Sequence, residues 1–402
     1  MWQVTKIVQL VVLLLLAESL VLPGEWAFAG ECNYLYADAL KNHASEELTA
    51  IKSDFAHNTH YTLEIGVPPV RDQCEYGSCW IHGTLGEIEQ DLFKHGRSLD
   101  LSEQYLIIQS LKEKAVETLR KPGKIVKPGG SFLKANELIK RYGLMPASVW
   151  KPRVAFEESP LSKRLLDFLN GRAAQYHIES AKWMTLIQKK RLFDQARKDL
   201  GSIIEAFSGA IPEKFVFENR TLTPLQFRDE LIGDRQFEWH KIGLLTDSLP
   251  EKLKKSKVEK DPELKRRKES LEKIEEIIID SLKKGHSVPV SVEMAHGFID
   301  DRTGIMSIHA FYLPKGFNPP TRAYRKAFDE NHKLSGTDHL MVIVGVDLDE
   351  SGKVIKYKVR NSHGEEQGDH GYYHLYPDYF REYLNSIAVR GDALTQSTID
   401  NK

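Results

Sequence analysis

The stretch RDQCEYGSCW, Arg71 to Trp80, holds two of the chain's three cysteines, five residues apart. Cys79 opens an apolar-periodic run in which Ile81, Leu85, Ile88 and Leu92 follow at spacings of four, three and four. That spacing is one face of a buried helix. A thiol in the first turn of a helix sits at the positive end of the helix dipole, which favours thiolate and makes a nucleophile at neutral pH. To cleave an amide, a thiolate also needs a general base and a group that stabilises an oxyanion. The chain has 15 histidines, so placement has to select the base. His82 lies three residues along the same helix, its ring directed along that helix, and reads as a packing residue. His339, in GTDHLMVIVGVD, starts an apolar strand, where a rigid scaffold holds a ring. Asn361, in KYKVRNSHG, follows one strand later, placed to fix one tautomer of that imidazole.

RDQ…GSCW, LSEQ at 101–104, the glycines of PGGSF at 128–132, the Asp338-His339 pair and NSHG…GY from Asn361 onward resemble the papain family of cysteine peptidases. The order Gln, Cys, His, Asn matches that family. The resemblance implies an α+β, papain-like two-lobed fold with a helical lobe carrying Cys79 and a β-barrel-like lobe carrying His339 and Asn361. It makes Cys79 the nucleophile, His339 the general base and acid, and Asn361 the residue that orients His339. The Gln73 amide and the Cys79 backbone N–H would form the oxyanion hole. Gly130 would hydrogen-bond an extended substrate, and Phe132 would line the pocket for the second residue before the scissile bond. The implied activity is hydrolysis of peptide bonds in peptide or protein substrates through a thioester, with no metal or organic cofactor. A catalytically impaired, peptide-binding relative is the alternative reading.

The interval from Cys79 to His339 is nearly twice the family's roughly 130–150 residues. A helical insertion explains the excess. IKRYGLMP at 139–146 and LTPLQFRDEL at 222–231 resemble the bleomycin hydrolase branch, which removes single residues from peptide N-termini. The tail after Val389, RGDALTQSTIDNK, differs from that branch's, so internal and terminal cutting both stay open. His363 stands where the family has a tryptophan that covers the Asn–His hydrogen bond. In papain the disulfide partner lies three residues before the nucleophile, a place held here by Tyr76; a Cys32–Cys74 bridge is expected instead, the alternative being that both are reduced and Cys74 is a small buried residue. Ser291 and Glu293 alternate with Val288, Val290 and Val292 in GHSVPVSVEM, which resembles the family's strand flanking the pocket for the second substrate residue; by that resemblance Glu293 would favour Lys or Arg there, the alternative being a solvent-exposed strand glutamate.

At the N-terminus, Lys6 precedes an apolar run from Ile7 to Ala17, and Ala27-Phe28-Ala29 offers a small-x-small cleavage site. Residues 1–29 therefore read as an export signal cleaved near Ala29, giving a secreted or periplasmic protein. The balance of 56 basic and 57 acidic residues argues against nucleic acid as a partner, and no stable membrane association is expected. The expected order is an N-terminal segment at 30–62, the helical lobe at 63–152, the helical insertion at 153–285, the β-rich lobe at 286–393 and a tail at 394–402. Within the insertion, the clearest helix runs from Pro262 to Lys284, with Asp261 as its N-cap.

Overall fold

The computed structural model describes residues 51–156, 159–232, 239–245, 267–313 and 338–391, with 316, 318, 319, 321, 322, 324 and 325 between the last two stretches. The expected signal segment, Cys32, the Asp261 cap and the 394–402 tail lie outside the described residues. Two compact units divide the chain. In one, Ile51 bridges Phe311 and the Lys52 ammonium lies 5.8 Å from the Tyr312 ring centroid. The other, which begins at Ser53, holds all the elements below.

Its helical part is built on α1 (Cys79–Lys94), α2 (Glu103–Arg120) and α3 (Phe132–Tyr142). Ile81, Leu85, Ile88 and Leu92 are all buried, as their spacing requires. Ser102 caps α2 by accepting from the Tyr105 N–H, and Ser131 caps α3 by accepting from the Lys134 N–H. Gly143 ends α3 at φ 83°, a conformation that favours glycine. Helices α4 (Ser159–Ser180) and α5 (Leu186–Ser208) follow, the second opened by a capping box of Thr185 and Gln188. Leu165, Leu169 and Ala173 of α4 and Ala196, Leu200 and Ile204 of α5 join the same apolar core as Leu106 and Ile108 of α2. These helices thus extend the helical part. A short hairpin, β2 (Phe215–Phe217) and β3 (Arg220–Leu222), leads into α6 (Pro224–Ile232).

The segment expected to be helical throughout contains two further strands. β4 (Trp239–Leu244) and β5 (Arg267–Glu269) pair parallel to each other. The expected helix from Pro262 is therefore corrected: residues 267–269 are strand, and α7 runs only from Leu271 to Lys283. The cap is Ser270, whose hydroxyl accepts from the Lys273 N–H. An edge of β4 was available to pair, and a serine nine residues downstream of Asp261 offered a second, equally good start signal. The remaining elements are β1 (Leu63–Glu64), β6 (Val288–Glu293), β7 (Ile299–Asp300), β8 (Ile305–Met306), β9 (Asp338–Leu348), β10 (Val354–Arg360), β11 (Tyr372–Leu375), α8 (Pro377–Tyr383) and β12 (Leu384–Arg390). The order is β5-β4-β12-β6-β9-β10-β11-β8-β7, with β1 also on β9, and among the described residues this path does not close into a ring.

Strand β9 organises this sheet. One edge pairs with β6 over Asp338–Ile343 and then with β1 at Gly345 and Val346; the other pairs with β10. Residues 339–347 are buried without interruption, so the strand reads as a continuous apolar run rather than an alternating one. Helix α1 lies against it through two glycines. A Cβ on Gly83 would stand 2.9 Å from a Leu340 methyl, and one on Gly86 would stand 2.1 Å from the Arg360 guanidinium. Arg360 is buried and donates to the Pro68 carbonyl at 3.3 Å, so it has little room to retreat. In a free helix, glycine to alanine would add about 1 kcal/mol of stability. Here the clash wins: Gly86→Ala should destabilise the protein by about 1–3 kcal/mol, read from the midpoint of urea unfolding. A midpoint equal to or above wild type would show that α1 and β10 can separate freely.

Candidate active site

Cys79 is the first residue of α1, and His339 is the second residue of β9. Both line one cleft of about 610 Å³, together with Trp80, Gly130, Phe132, Pro289, Ser291, Asp338 and Ala388. The loop after β10 brings Asn361 to His339, and His339 Nε2 donates to Asn361 Oδ1 at 2.6 Å. With Nε2 carrying the proton, Nδ1 is the basic nitrogen. Asn361 is itself buried.

Gln73 is buried in the turn before α1. Its Oε1 accepts from the Ser362 hydroxyl at 2.6 Å, and its Nε2 donates to the Tyr76 carbonyl at 2.8 Å. Its backbone N–H donates to the Ser362 carbonyl at 2.8 Å. The carboxamide is thereby held in one orientation, with its second N–H uncommitted by these two bonds. Ser362, the residue that follows Asn361, thus ties Gln73 to the loop after β10. Sequence reasoning missed it, although it stands inside the NSHG motif.

Gly130 approaches Trp80 so closely that a Cβ would sit 2.5 Å from the indole. Lys114 of α2 clamps this loop: its ammonium donates to the Lys127, Pro128 and Gly129 carbonyls at 2.9, 2.9 and 2.6 Å. Burial pulls this lysine down to about 8, so it remains charged at neutral pH. A lysine on a helix of alternating charges gives no sequence signal for such a role.

Burial sets the electrostatics of the cleft. It pushes the Cys79 thiol above its ordinary range, against backbone N–H groups of Leu340 and Trp80 that pull it down, and with Asp338 adding to the rise. The dipole-stabilised thiolate expected from the helix position is thus outweighed by desolvation. Burial also lowers His339, against the Asn361 hydrogen bond. A lone thiolate and a lone imidazolium are both disfavoured in this cleft. His82 is buried, pulled down to about 3 by desolvation, and lies 3.6 Å from Glu103, in keeping with a packing role. Among the described residues, no group of three His, Cys, Asp or Glu side chains is arranged to hold a metal ion.

Two expectations change. Glu293 does not line the cleft; its carboxylate lies 3.9 Å from Arg325. Cys74 is exposed at φ 49°, with its N–H donating to Asp72 Oδ1 at 2.7 Å, so it is not a buried filler.

His363 stacks on His339, ring centroids 5.3 Å apart and planes 14° from parallel. Burial, and then His339, hold its pKa below the usual imidazole value. His363 therefore stays neutral until the pH falls below that usual value. Once charged, it would oppose an imidazolium at 5.3 Å by roughly 3 kcal/mol at an effective dielectric near 20. His363→Trp should shift the acidic limb of the kcat/KM profile to lower pH by about half a unit or more. Coincident limbs for the two proteins would make His363 a neutral spacer.

The profile of the papain family cysteine proteases matches residues 57–115, and that of the peptidase C1-like family matches residues 107–401. Aminopeptidase C of Streptococcus thermophilus is 24% identical over 386 residues, covering 86% of this chain and 84% of its own. Bleomycin hydrolase of Gallus gallus is 23% identical over 366 residues, 80% of each. The crystal structure of PepW from Lactobacillus rhamnosis HN001 superposes with a TM-score of 0.71 at 20% identity, covering 94% of this chain and 95% of that one. With its profile spanning more than half of the sequence, the chain belongs to the peptidase C1-like family and is a papain-like cysteine peptidase.

Proposed function

We propose that peptide bonds are cleaved by a Cys79–His339–Asn361 triad through a thioester. The observation that carries the assignment is the 2.6 Å bond from His339 Nε2 to Asn361 Oδ1, in the same cleft as a helix-terminal Cys79. His339 Nδ1 takes the thiol proton as Cys79 attacks, then returns it to the leaving amine. Asn361 holds the tautomer. The Cys79 backbone N–H and the free N–H of Gln73 receive the oxyanion, and Ser362 keeps that amide aimed. Gly130 presents its backbone to an extended substrate, and Phe132 lines the pocket beside it.

The chain acts outside the cytosol after cleavage near Ala29, and Cys74, exposed in its loop, pairs with Cys32 there. The support is the sequence pattern of residues 1–29 and the accessibility of Cys74.

Cys79→Ala should abolish hydrolysis with an unchanged thermal melt, and His339→Ala should do nearly the same. Gln73→Ala should lower kcat on the order of a hundredfold, the effect of losing one oxyanion donor. Wild-type turnover by Cys79→Ala would sink the assignment. The bridge is read separately, from intact mass after alkylation of the unreduced, exported protein: one alkyl group supports it, and three exclude it.

A further inference from the structure

Only half of the Asn361 amide is accounted for by His339. Its Oδ1 accepts from the imidazole, whereas its Nδ2 is buried and closes no hydrogen bond of ordinary geometry among the described residues. A buried amide N–H calls for an acceptor.

The strand register says which group is in reach. Asn361 continues the ladder of β10 and β11: its N–H donates to the Gly371 carbonyl at 3.0 Å, one step beyond the Arg360–Tyr372 pair. Val359 lies opposite Tyr373. Side chains two residues apart share a face, so Asn361 and Tyr373 stand diagonally on one face. Such diagonal neighbours are roughly 7–8 Å apart, a gap that an aromatic side chain spans. Tyr373 is buried and its ring is confined, since a Cβ on Gly368 would stand 3.0 Å from Tyr373 Cε2. Burial, with Asp301 adding to it, holds the Tyr373 phenol above its ordinary range, and hydrogen bonding from Asn361 works against that rise.

The Tyr373 hydroxyl donates to Asp301 Oδ1 at 2.8 Å. Asp301 follows β7, and its carbonyl accepts from the Gly368 N–H at 2.7 Å, which ties it to the loop against which the ring packs. A phenol has one proton to donate. With that proton committed to the carboxylate, the oxygen that faces Asn361 can only accept. The amide must then turn its N–H toward Tyr373 and its oxygen toward His339. That oxygen in turn requires the His339 proton on Nε2, which leaves Nδ1 basic.

We propose that Tyr373, fixed by Asp301, is a positioning residue that sets the orientation of the Asn361 amide and, through it, the tautomer of His339. This rests on the assignment of Cys79, His339 and Asn361 as the reacting triad. Turned the other way, the amide would donate to Nε2, and the proton on Nδ1 would leave His339 unable to take one from Cys79.

The tautomer is read by nitrogen NMR of isotopically labelled histidine in Cys79→Ala protein, in mildly alkaline solution, where no thiol shares a proton with His339. The His339 signals are assigned by their loss on adding His339→Gln. Nε2 alone should carry the proton. Adding Tyr373→Phe, which removes a single oxygen, should give a mixture of both tautomers. Asp301→Ala releases the phenolic proton to point either way and should do the same, whereas Asp301→Asn keeps an accepting oxygen and should keep Nε2 protonated. With Cys79 in place, Tyr373→Phe should lower kcat about fivefold, the size of one ordinary hydrogen bond, and leave KM unchanged. A pure Nε2 tautomer in Tyr373→Phe or in Asp301→Ala overturns the proposal, as does a loss that falls on KM and the thermal melt instead of kcat. Hydrolysis by Cys79→Ala would sink the triad assignment alone, because the tautomer is read without turnover.

Discussion

The distance between helix α1 and strand β9 decides whether this site exists. Cys79 belongs to the helix and His339 to the strand, and nothing local in the sequence joins them. Gly83 and Gly86 remove the side chains that would hold the two elements apart, and Leu340 and Arg360 fill the space that they leave. A helix packed on a sheet through ordinary side chains stands about 10 Å away. The buried guanidinium of Arg360 then locks β10, which carries Asn361 at its end, to the same helix.

Behind the cleft the helix buries groups that prefer to be uncharged. Burial pushes Glu103 up to about 8 and Glu89 up to about 7, and pulls His82 down to about 3. For His82, with its folded value depressed, the associated stability is present above the ordinary imidazole value of about 6.5 and is lost as pH falls toward 3. For the two glutamates, with folded values raised, it is present below their ordinary value near 4.5 and is lost as pH climbs through 7 and 8. The two windows do not overlap: between 4.5 and 6.5 each contribution is partly lost, although all three groups are uncharged there in the folded protein.

The parts of the fold legible in the sequence were those with a strong local pattern. The α1 stripe, the Gly143 stop and the run of β9 each carry their own signal. β5 carries none: Arg267-Lys268-Glu269 has no apolar alternation and is a strand only because β4 offers an edge. β4 was hidden for a related reason, because a strand that joins a sheet across more than a hundred residues of sequence is specified by its partner β12. Site residues followed the same division. Cys79, Gln73, His339 and Asn361 sit in short motifs; Cys79 and His339 line one cleft, Asn361 bonds to His339, and Gln73 bonds to Ser362 beside Asn361. Lys114 and Ser362 act on that cleft through loop carbonyls and a neighbour's amide, which only the folded chain reveals.

The wide separation of α1 from β9 also bears on how such a protein is made. Helix α1 and its core partners α2 to α5 end at Ser208 and are rich in local contacts, so they can assemble while synthesis continues. The imidazole and its amide arrive only with β9 and β10, near the end of translation. Until then the nascent polypeptide carries a thiol with no base beside it. On the proposed triad, hydrolytic competence therefore waits until β9 and β10, and with them most of the molecule, have been synthesised.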